Sequence, residues 1–246
     1  MVENAVEKGW NRIWSGRGDR LGSVDMGDPE AVYLELKRMA GYDAHELDYK
    51  VLRAYHDSMV RLMGSPSSVY EVGCGSGAEL YLMQRDGIRV GGADYSQAMV
   101  DVARRVLGDG VVELDCCEAK DIPVGKRYDA VLSNSVFAYF PSLEYADAVL
   151  GRMAMKADRM VVVDVHDADL KEEYLDMRRG MIPGYDEMYV GLDKLFVPKS
   201  FFEAWAERNG FDVRFDKPDV EGYWNSGYVY TVQLRRRGRQ TFLKTL

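Results

Sequence analysis

The chain has 246 residues and a formal net charge of −8, with 47% hydrophobic and 29% charged residues, so it is long enough to bury a sizeable core. An acidic protein repels phosphate backbones, which argues against nucleic acid as a partner. No apolar run approaches the ~18 residues of a membrane-spanning helix and no secretion signal is visible at the N-terminus, so we expect a cytoplasmic protein that does not bind membranes.

Residues 1–65 are predicted to form a helical cap. The stretch DPEAVYLELKRMAGY offers Asp28 as an N-cap, Pro29 at the first helical position and Gly41 as a stop. The following stretch, HELDYKVLRAYHDSMVRLMG, repeats apolar residues at helical spacing and predicts a second helix.

From residue 66 onward, predicted strands and helices alternate. The strand patterns are SVYEVG, IRVGGAD, VVELDC, YDAVLSNSV and RMVVVDVH, with helices in AELYLMQRDG, SQAMVDVARRVLG and LEYADAVLGRMAMKA. Strands that alternate with helices of this length require crossovers and give a parallel sheet. A helix in SFFEAWAERNGF, capped by Ser200, precedes two strands predicted to be antiparallel. We therefore predict a doubly wound α/β core over 66–246, with 167–200 as a lid-like insertion.

The first predicted strand ends in EVGCGSGA, where Glu71 precedes Gly73, Gly75 and Gly77. Ligands of such sheets bind at the carboxyl ends of the strands, and glycines let the backbone turn sharply and approach a ligand closely. Glycine-rich strand ends also serve only to turn the chain, so this loop is a weak signal by itself.

The second predicted strand strengthens the case for a cofactor, because it ends at Asp94, about twenty residues after Gly73. An acid at this distance accepts the hydroxyl groups of an adenosine ribose. The alternative role for Asp94 is a helix cap, but Ser96 already suits that role at the start of SQAMV.

A nicotinamide dinucleotide is the alternative occupant, since GCGSGA satisfies its pattern with alanine in the third place. Glu71 would repel a pyrophosphate at this position. The Tyr-x-x-x-Lys pair of Tyr33 and Lys37 precedes the loop, which is the wrong order for a short-chain dehydrogenase. No G-x-x-x-x-G-K-[ST] loop occurs, which excludes a P-loop nucleotide enzyme.

The sequence E-V-G-C-G-S-G resembles the first motif of the class I S-adenosylmethionine (SAM)-dependent methyltransferases, which have a Rossmann-like fold. CCEAKDIP and YDAVLSNSVFAYF resemble later motifs of that family in the same order, and the similarity covers about residues 67 to 165. The resemblance implies methyl transfer with SAM as cofactor and S-adenosylhomocysteine as product. It implies cofactor contacts from Glu71, Gly73, Cys74, Gly75, Gly77, Asp94, Tyr95, Cys117, Glu118, Ala119, Asn134 and Phe137.

The chemistry of SAM agrees with this resemblance. Its ammonium group needs acceptors, which the Glu71 carboxylate and the Gly73 carbonyl could supply, and its sulfonium tolerates aromatic faces. Glu118 stands where the family more often has the Asp that meets the adenine amino group. Phe137 is equally well explained by ordinary core packing. The three cysteines give no disulfide framework and fit a reducing compartment.

His166 is the candidate general base, because it ends the strand RMVVVDVH at the sheet edge that faces the ligand. Asp164 would point to the same side of a regular strand and could orient His166. The stretch DVHDAD could instead bind a divalent metal, but Asp167 and Asp169 are as easily helix-start residues, and we expect no metal.

Aromatic residues in 167–200 and near the chain end are expected to roof an acceptor pocket, although they could equally form the core of a cap. The predicted substrate contacts are Tyr139, Tyr185, Tyr189, Tyr223 and Trp224, with Lys194 and Phe196 nearby on the predicted lid. The sequence SNSVF stands where an N-P-P-[YF] motif would indicate base methylation. The acceptor is therefore predicted to be a metabolite, sugar or natural product methylated at oxygen or nitrogen.

Two alternatives remain for the function. The same fold could use SAM as a bound helper in another reaction, such as dehydration or cyclisation. The chain could also be a non-catalytic SAM-binding subunit, although such proteins usually lose the glycine loop or the ribose-binding acid, and both are present here. We expect a monomer or a homodimer.

Overall fold

A seven-stranded sheet forms the centre of the computed structural model, which describes residues 21–42, 48–218, 220–223 and 225–238. The strands are β1 (Ser68–Val72), β2 (Arg89–Asp94), β3 (Leu114–Cys116), β4 (Ala130–Asn134), β5 (Arg159–His166), β6 (Phe211–Asp216) and β7 (Val229–Arg236). Their order is β3-β2-β1-β4-β5-β7-β6. Strands β1 to β5 are parallel, and β7 lies antiparallel between β5 and β6. The predicted fold class is thus confirmed, and the strand order reverses between β1 and β4.

Eight α-helices in the described part of the chain connect and flank these strands. They are α1 (Pro29–Lys37), α2 (Tyr49–Leu62), α3 (Ala78–Arg85), α4 (Gln97–Leu107), α5 (Leu143–Lys156), α6 (Lys171–Met181), α7 (Tyr185–Met188) and α8 (Lys199–Asn209). Asp28 caps α1 as predicted, by accepting from the backbone N–H groups of Glu30 and Ala31. The predicted Ser200 cap is wrong, because α8 begins at Lys199, directly after the extended residue Pro198. None of the described helices is long and apolar enough to cross a membrane.

The two faces of the sheet bury separate hydrophobic clusters, since successive side chains of a strand point to opposite sides. Helices α1 to α4 pack against one face, where β1 contributes Val69. Helices α5 and α8 cover the other face, where β1 contributes Tyr70 and Val72. The described helices of the N-terminal segment therefore share a core with the sheet, while residues 1–20 and 43–47 of the predicted cap lie outside the described residues.

Strand β5 contains a β-bulge near its end. Val162 pairs with Val232 and Val165 pairs with Tyr230, so three steps on β5 oppose two steps on β7. Asp164 lies in this bulge with a φ of 61°. The expectation of a regular strand through Asp164 is therefore wrong, because the extra residue breaks the alternation just before the strand ends.

The segment that follows β5 returns to the same sheet edge. The Val197 N–H donates to the His166 carbonyl at 2.9 Å, and the Leu195 N–H donates to the Ala138 carbonyl at 2.8 Å. These backbone contacts hold the end of the 167–200 segment beside the ends of β4 and β5.

Candidate functional site

A cavity of about 500 Å³ lies at the carboxyl ends of the parallel strands, which is where doubly wound sheets bind ligands. The loops after β1 to β5 all contribute to its lining, together with residues of α1, α6 and the segment after α7. The predicted site residues that line it are Glu71, Gly73, Cys74, Gly75, Asp94, Tyr95, Cys117, Glu118, Ala119, Asn134, Tyr139, Asp164, His166 and Tyr189.

Two predicted cofactor contacts lie outside this lining. Gly77 precedes α3 with a φ of 81°, and a Cβ there would lie 3.0 Å from Ala103 Cβ. Gly77 thus permits α3 to pack closely on α4. Phe137 is 1% exposed, and its ring centroid lies 4.8 Å from that of Phe140 and 5.9 Å from that of Phe202. Its position matches the core-packing alternative.

Two predicted substrate contacts also lie outside the cavity lining. Tyr185 is buried against Tyr189, with their ring centroids 4.9 Å apart. Tyr223 stacks on Tyr55 of α2 at 4.4 Å between ring centroids. The rings of both tyrosines pack against other aromatic rings, so these residues support the cavity lining and do not form part of it. Trp224 lies outside the described residues.

One end of the cavity contains the buried carboxylate of Glu71. Its side chain is 3% exposed, and Oε2 has no hydrogen-bond partner among the described residues. Burial, followed by repulsion from Glu79 and Asp94, raises the pKa of Glu71 well above its ordinary value, although Lys37 opposes this effect. A buried acceptor without a donor suits a ligand that brings a cationic N–H group to this position.

An ion-pair network that the sequence analysis missed lies beside Glu71. Lys37 Nζ of α1 lies 2.8 Å from Glu79 Oε1, and His56 Nδ1 of α2 lies 2.7 Å from Glu79 Oε2. Burial alone would raise the pKa of Glu79, but Lys37 and His56 overcome it and lower that pKa to about 2. Both Lys37 and Glu79 line the cavity, so helix α1 is tied to the helix that follows the glycine loop.

The glycine loop and the end of β2 are joined through Asp94. Asp94 Oδ2 accepts from the Gly75 N–H and Oδ1 accepts from the Ser96 N–H, both at 2.9 Å. Ser96 occupies the N-cap position of α4 as predicted, but its side chain makes no cap hydrogen bond. Burial raises the pKa of Asp94, while these backbone N–H groups oppose the rise. Each carboxylate oxygen can accept a further hydrogen bond, which leaves capacity for ribose hydroxyls.

The loop after β3 brings Cys117, Glu118 and Ala119 to the cavity beside the start of α5. Tyr145 of α5 donates to Glu118 Oε2 at 2.5 Å. This bond fixes the Glu118 side chain and uses one of its two oxygens. The Cys117 N–H donates to the Asp94 carbonyl at 3.0 Å, so the two loops are held together.

The end of β4 is held from two sides. Asn134 Oδ1 accepts from the hydroxyl of Tyr55 at 3.1 Å and lies 3.2 Å from Ser135 Oγ, whose proton is donated to Asp164. Ser135 has a φ of 59° and lines the cavity. The Tyr55 bond links α2 to the middle of the site, a contact between segments about eighty residues apart that sequence spacing does not indicate.

At the other end of the cavity, both carboxylate oxygens of Asp164 accept hydrogen bonds from neighbours other than His166. Oδ2 accepts from Ser135 Oγ at 2.7 Å and Oδ1 accepts from Asn225 Nδ2 at 2.9 Å. Burial raises the pKa of Asp164, and the Ser135 and Asn225 bonds oppose the rise. The expectation that Asp164 orients His166 is not met, because no hydrogen bond joins the two side chains. Asn225 Oδ1 is buried without a partner among the described residues.

His166 lies in an aromatic environment with its Nδ1 buried and without a hydrogen-bond partner in the described part of the chain. Its ring centroid lies 4.4 Å from that of Tyr174 and 5.3 Å from that of Phe196. Burial, followed by the positive charges of Lys194 and Arg178, lowers the pKa of His166 well below its ordinary value. The imidazole is therefore neutral near pH 7.

Lys194 and Arg178 bring two positive charges to the same end of the cavity. Lys194 is half-buried, and its Nζ donates to the Tyr174 hydroxyl at 3.0 Å. Burial and the charge of Arg178 lower the pKa of Lys194 to about 7, although Asp164 opposes the fall.

The aspartates after β5 have structural partners. Asp167 Oδ1 accepts from the Asp169 N–H at 3.2 Å at the start of a short 3₁₀ turn, and Asp167 Oδ2 pairs with Lys199. The helix-start alternative is thus confirmed for Asp167.

Among the described residues, a different group, made of His56, Asp57 and Asp86, has potential metal-ligand geometry. Arg53 already donates to both of its carboxylates. The arrangement is therefore explained by ion pairs alone.

Comparisons with known proteins identify a methyltransferase domain in part of this chain. The family model described as a methyltransferase domain matches residues 70–154. The malonyl-[acyl-carrier protein] O-methyltransferase of Acetivibrio thermocellus is 27% identical over 120 residues, which are 47% of this chain and 42% of that protein. The nonribosomal peptide synthetase asqK of Emericella nidulans is 28% identical over 178 residues, which are 67% of this chain and 7% of the synthetase. The chain thus spans less than half the length of either relative.

The fold also matches solved structures. The magnesium protoporphyrin IX methyltransferase of Synechocystis PCC 6803, crystallised with bound SAM, has a TM-score of 0.55 and 19% sequence identity to this chain. The match covers 85% of this chain and 98% of that chain. At this level of identity the comparison shows a shared fold.

Proposed function

Because this chain belongs to the class I SAM-dependent methyltransferases, we propose that it transfers a methyl group from SAM to an oxygen or nitrogen atom of a small-molecule acceptor. The main support is one cavity that contains a buried carboxylate oxygen at Glu71 and a buried imidazole nitrogen at His166, neither with a hydrogen-bond partner among the described residues. The first suits a cationic amino group, and the second suits an acceptor that gives up a proton.

The donor set fits SAM at the Glu71 end. Glu71 Oε2 would accept from the ammonium group, and the Asp94 carboxylate, held by Gly75 and Ser96, would accept from the ribose hydroxyls. A Cβ at Gly73 would lie 2.4 Å from Val136 Cγ2, so only glycine lets the loop approach Val136 as closely as it does. When bound, SAM supplies a methyl carbon activated by its positive sulfur.

The chain must then align the acceptor and exclude water. We assign alignment to the segment 167–200, which contributes Arg178, Tyr189 and Lys194 to the cavity, and we retain its interpretation as a lid. His166 would accept a proton at its neutral imidazole when the acceptor carries one. Asp164 would act as a positioning residue through Ser135 and Asn225.

The relatives differ in the acceptors that their names record, which include magnesium protoporphyrin IX and a malonyl group on a carrier protein. The family model covers residues 70–154, whereas Arg178, Tyr189 and Lys194 lie beyond it. We therefore assign the choice of acceptor to residues outside the matched domain.

Calorimetric titration of SAM into the wild-type protein and an Asp94→Asn variant tests the cofactor site. We expect binding that weakens strongly in Asp94→Asn and is unchanged in Asp101→Asn, an exposed aspartate on α4. Asparagine keeps one oxygen as a hydrogen-bond acceptor but loses the charge. Failure of the wild-type protein to bind SAM would overturn the proposal.

Incubation with SAM and an acceptor library, followed by mass spectrometry, tests the reaction. A product heavier by one methyl group, formed together with S-adenosylhomocysteine, supports transfer. A mass change without methylation would indicate another reaction type, and SAM binding without any turnover would indicate a binding subunit. His166→Asn should lower turnover while SAM affinity stays the same, if the imidazole acts as the base.

A further inference from the structure

The acceptor end of the cavity contains a cation that has no ion pair among the described residues. Lys194 forms no ion pair with any described residue, and its one hydrogen bond goes to the neutral hydroxyl of Tyr174. Arg178 lines the same cavity and is 9% exposed. Asp164 is the single carboxylate at this end of the described cavity lining, and its two oxygens already accept from Ser135 and Asn225.

The unpaired charge of Lys194 costs free energy in the protein without its acceptor, because a half-buried cation is less well solvated than one in water. Burial is the main cause of the lowered pKa values of Lys194 and His166, and neighbouring positive charge lowers both further. A ligand that brings one negative charge would offset it. Because Lys194 is a single charge without an ion pair among the described residues, a monoanion matches it better than a dianionic phosphate does.

The entrance beside these cations is apolar. Ile182 and Met188 line the cavity, and Met188 is 60% exposed; Met181 at 51% and Val190 at 78% are also exposed in the same segment. Side chains of this size are usually covered when they cluster. They offer a surface for the apolar part of a molecule whose charged group reaches inward.

We propose that the acceptor is a carboxylic acid with an apolar portion, and that its carboxylate is held by Lys194 and Arg178 while another oxygen or nitrogen of the molecule receives the methyl group. A carboxylate paired with two cations is a poor nucleophile. It therefore anchors the acceptor and does not itself receive the methyl group. This inference rests on the proposed function and names the substrate class of the same site. Lys194 and Arg178 are its specificity-determining residues.

The test uses the protein loaded with S-adenosylhomocysteine and a library of hydroxy- and amino-substituted aromatic and aliphatic acids, each paired with its primary amide. Binding is measured by ligand-observed NMR and calorimetry. We expect acids to bind and their amides to bind much more weakly. Lys194→Met should weaken acid binding by about 10- to 100-fold, the loss typical of a charge-assisted hydrogen bond, and should leave amide binding unchanged.

Lys171→Met is the matched control, because it removes the same charge from an exposed lysine at the start of α6, and it should leave the preference for acids intact. Equal binding of acids and amides, an acid preference that survives Lys194→Met, or no acid that binds would each overturn the inference. Binding of S-adenosylhomocysteine is measured first in every variant. Its loss in the wild-type protein would count against the proposed function, whereas its retention without an acid preference would count against the carboxylate inference alone.

Discussion

Ser135 Oγ donates a hydrogen bond of 2.7 Å to Asp164 Oδ2, and both residues have positive φ angles, 59° and 61°. Residues other than glycine adopt such angles at a cost of about 1–2 kcal/mol each. Ser135 follows β4, Asp164 lies in the bulge of β5, and both line the cavity. The hydrogen bond therefore joins two strained backbone positions at the acceptor end of the site.

Two substitutions of Asp164 distinguish the free-energy cost of its positive φ from the cost of losing its hydrogen bonds. Asp164→Ala and Asp164→Gly both remove the acceptor of Ser135 and Asn225, which should cost about 1–3 kcal/mol of unfolding free energy. Glycine alone tolerates the positive φ, so Asp164→Gly should be more stable than Asp164→Ala by about 1 kcal/mol. Denaturant unfolding measures both values.

Ser133 provides the control for this comparison, because it is a buried residue of β4 and has no positive φ. There the order should reverse, with Ser133→Ala more stable than Ser133→Gly, since glycine weakens a strand interior. If Asp164→Ala equals or exceeds Asp164→Gly in stability, the bulge is not strained.

Glu71→Gln tests the unpaired carboxylate oxygen at the cofactor end. Glutamine has the same shape but no charge, so SAM affinity should fall by about 10- to 100-fold as a charge-assisted hydrogen bond is lost. The stability of the unliganded protein should not fall, because the substitution removes a buried carboxylate that has no donor on Oε2. Calorimetry and thermal unfolding measure the two quantities.

Glu203→Gln, on the exposed face of α8, is the control for Glu71→Gln and should change neither quantity. Unaltered SAM affinity in Glu71→Gln would show that Glu71 does not contact the cofactor.

The sequence predicted the sheet and the loops that line the cavity well, because these depend on local patterns. Period-two strands, helical spacing and glycines at strand ends are all visible within short windows. Glu71 and Asp94 were located in this way, since each ends a strand next to a loop and the carboxyl ends of parallel strands converge. Both line the cavity.

Long-range packing explains what the sequence analysis missed. Lys37 meets Glu79 and Tyr55 meets Asn134 only because α1 and α2 dock on the sheet, and a charged residue at helical spacing is normally assigned to the solvent face. The bulge at Asp164 is visible only in the pairing of β5 with β7. Gly77 was assigned to the cofactor by its motif, but its close neighbour is Ala103 of α4.

Gly73→Ala tests the close approach of the glycine loop to Val136. A Cβ at Gly73 would lie 2.4 Å from Val136 Cγ2 and 2.8 Å from Cγ1, and φ is 76°. The substitution should therefore lose about 1–2 kcal/mol for the positive φ and a further ~1–3 kcal/mol for overpacking. Denaturant unfolding should show that adding Val136→Ala restores the second part only.

Gly87 is the matched control, since its φ is 83° and no atom lies within 4 Å of the added Cβ. Gly87→Ala should show the backbone cost alone. Equal losses for Gly73→Ala and Gly87→Ala would mean that the loop moves away from Val136 without cost.

The Lys37–Glu79 pair predicts a specific acid sensitivity. The pKa of Glu79 is lowered from 4.5 to about 2, so its contribution to stability is present above about pH 4.5 and is lost as pH falls through the folded value. The full contribution is up to about 3 kcal/mol. The unfolding free energy of the wild-type protein should fall from about pH 5 to pH 3, and Glu79→Gln should flatten this part of the profile.

Asp101→Asn is the control for the acid profile, because Asp101 forms an exposed pair with Arg104 and such pairs contribute little. Its profile should run parallel to that of the wild-type protein. A Glu79→Gln profile as steep as the wild-type one would show that other carboxylates cause the acid loss.

The pH dependence of the unfolding free energy of Lys194→Met tests whether the positive charge of Lys194 is unfavourable at the acceptor end. The pKa of Lys194 is lowered from 10.5 to about 7, so between these values the unfolded chain binds a proton that the folded chain does not. Wild-type stability therefore rises with pH across this window, and the charged lysine destabilises the folded state at pH 7 and below.

The stability of Lys194→Met relative to wild type should be greatest at about pH 6 and should decline towards pH 9, whereas exposed Lys171→Met should not show this decline. Parallel wild-type and Lys194→Met profiles from pH 6 to 9 would mean that Lys194 is well solvated, which would remove the electrostatic reason for an anionic acceptor.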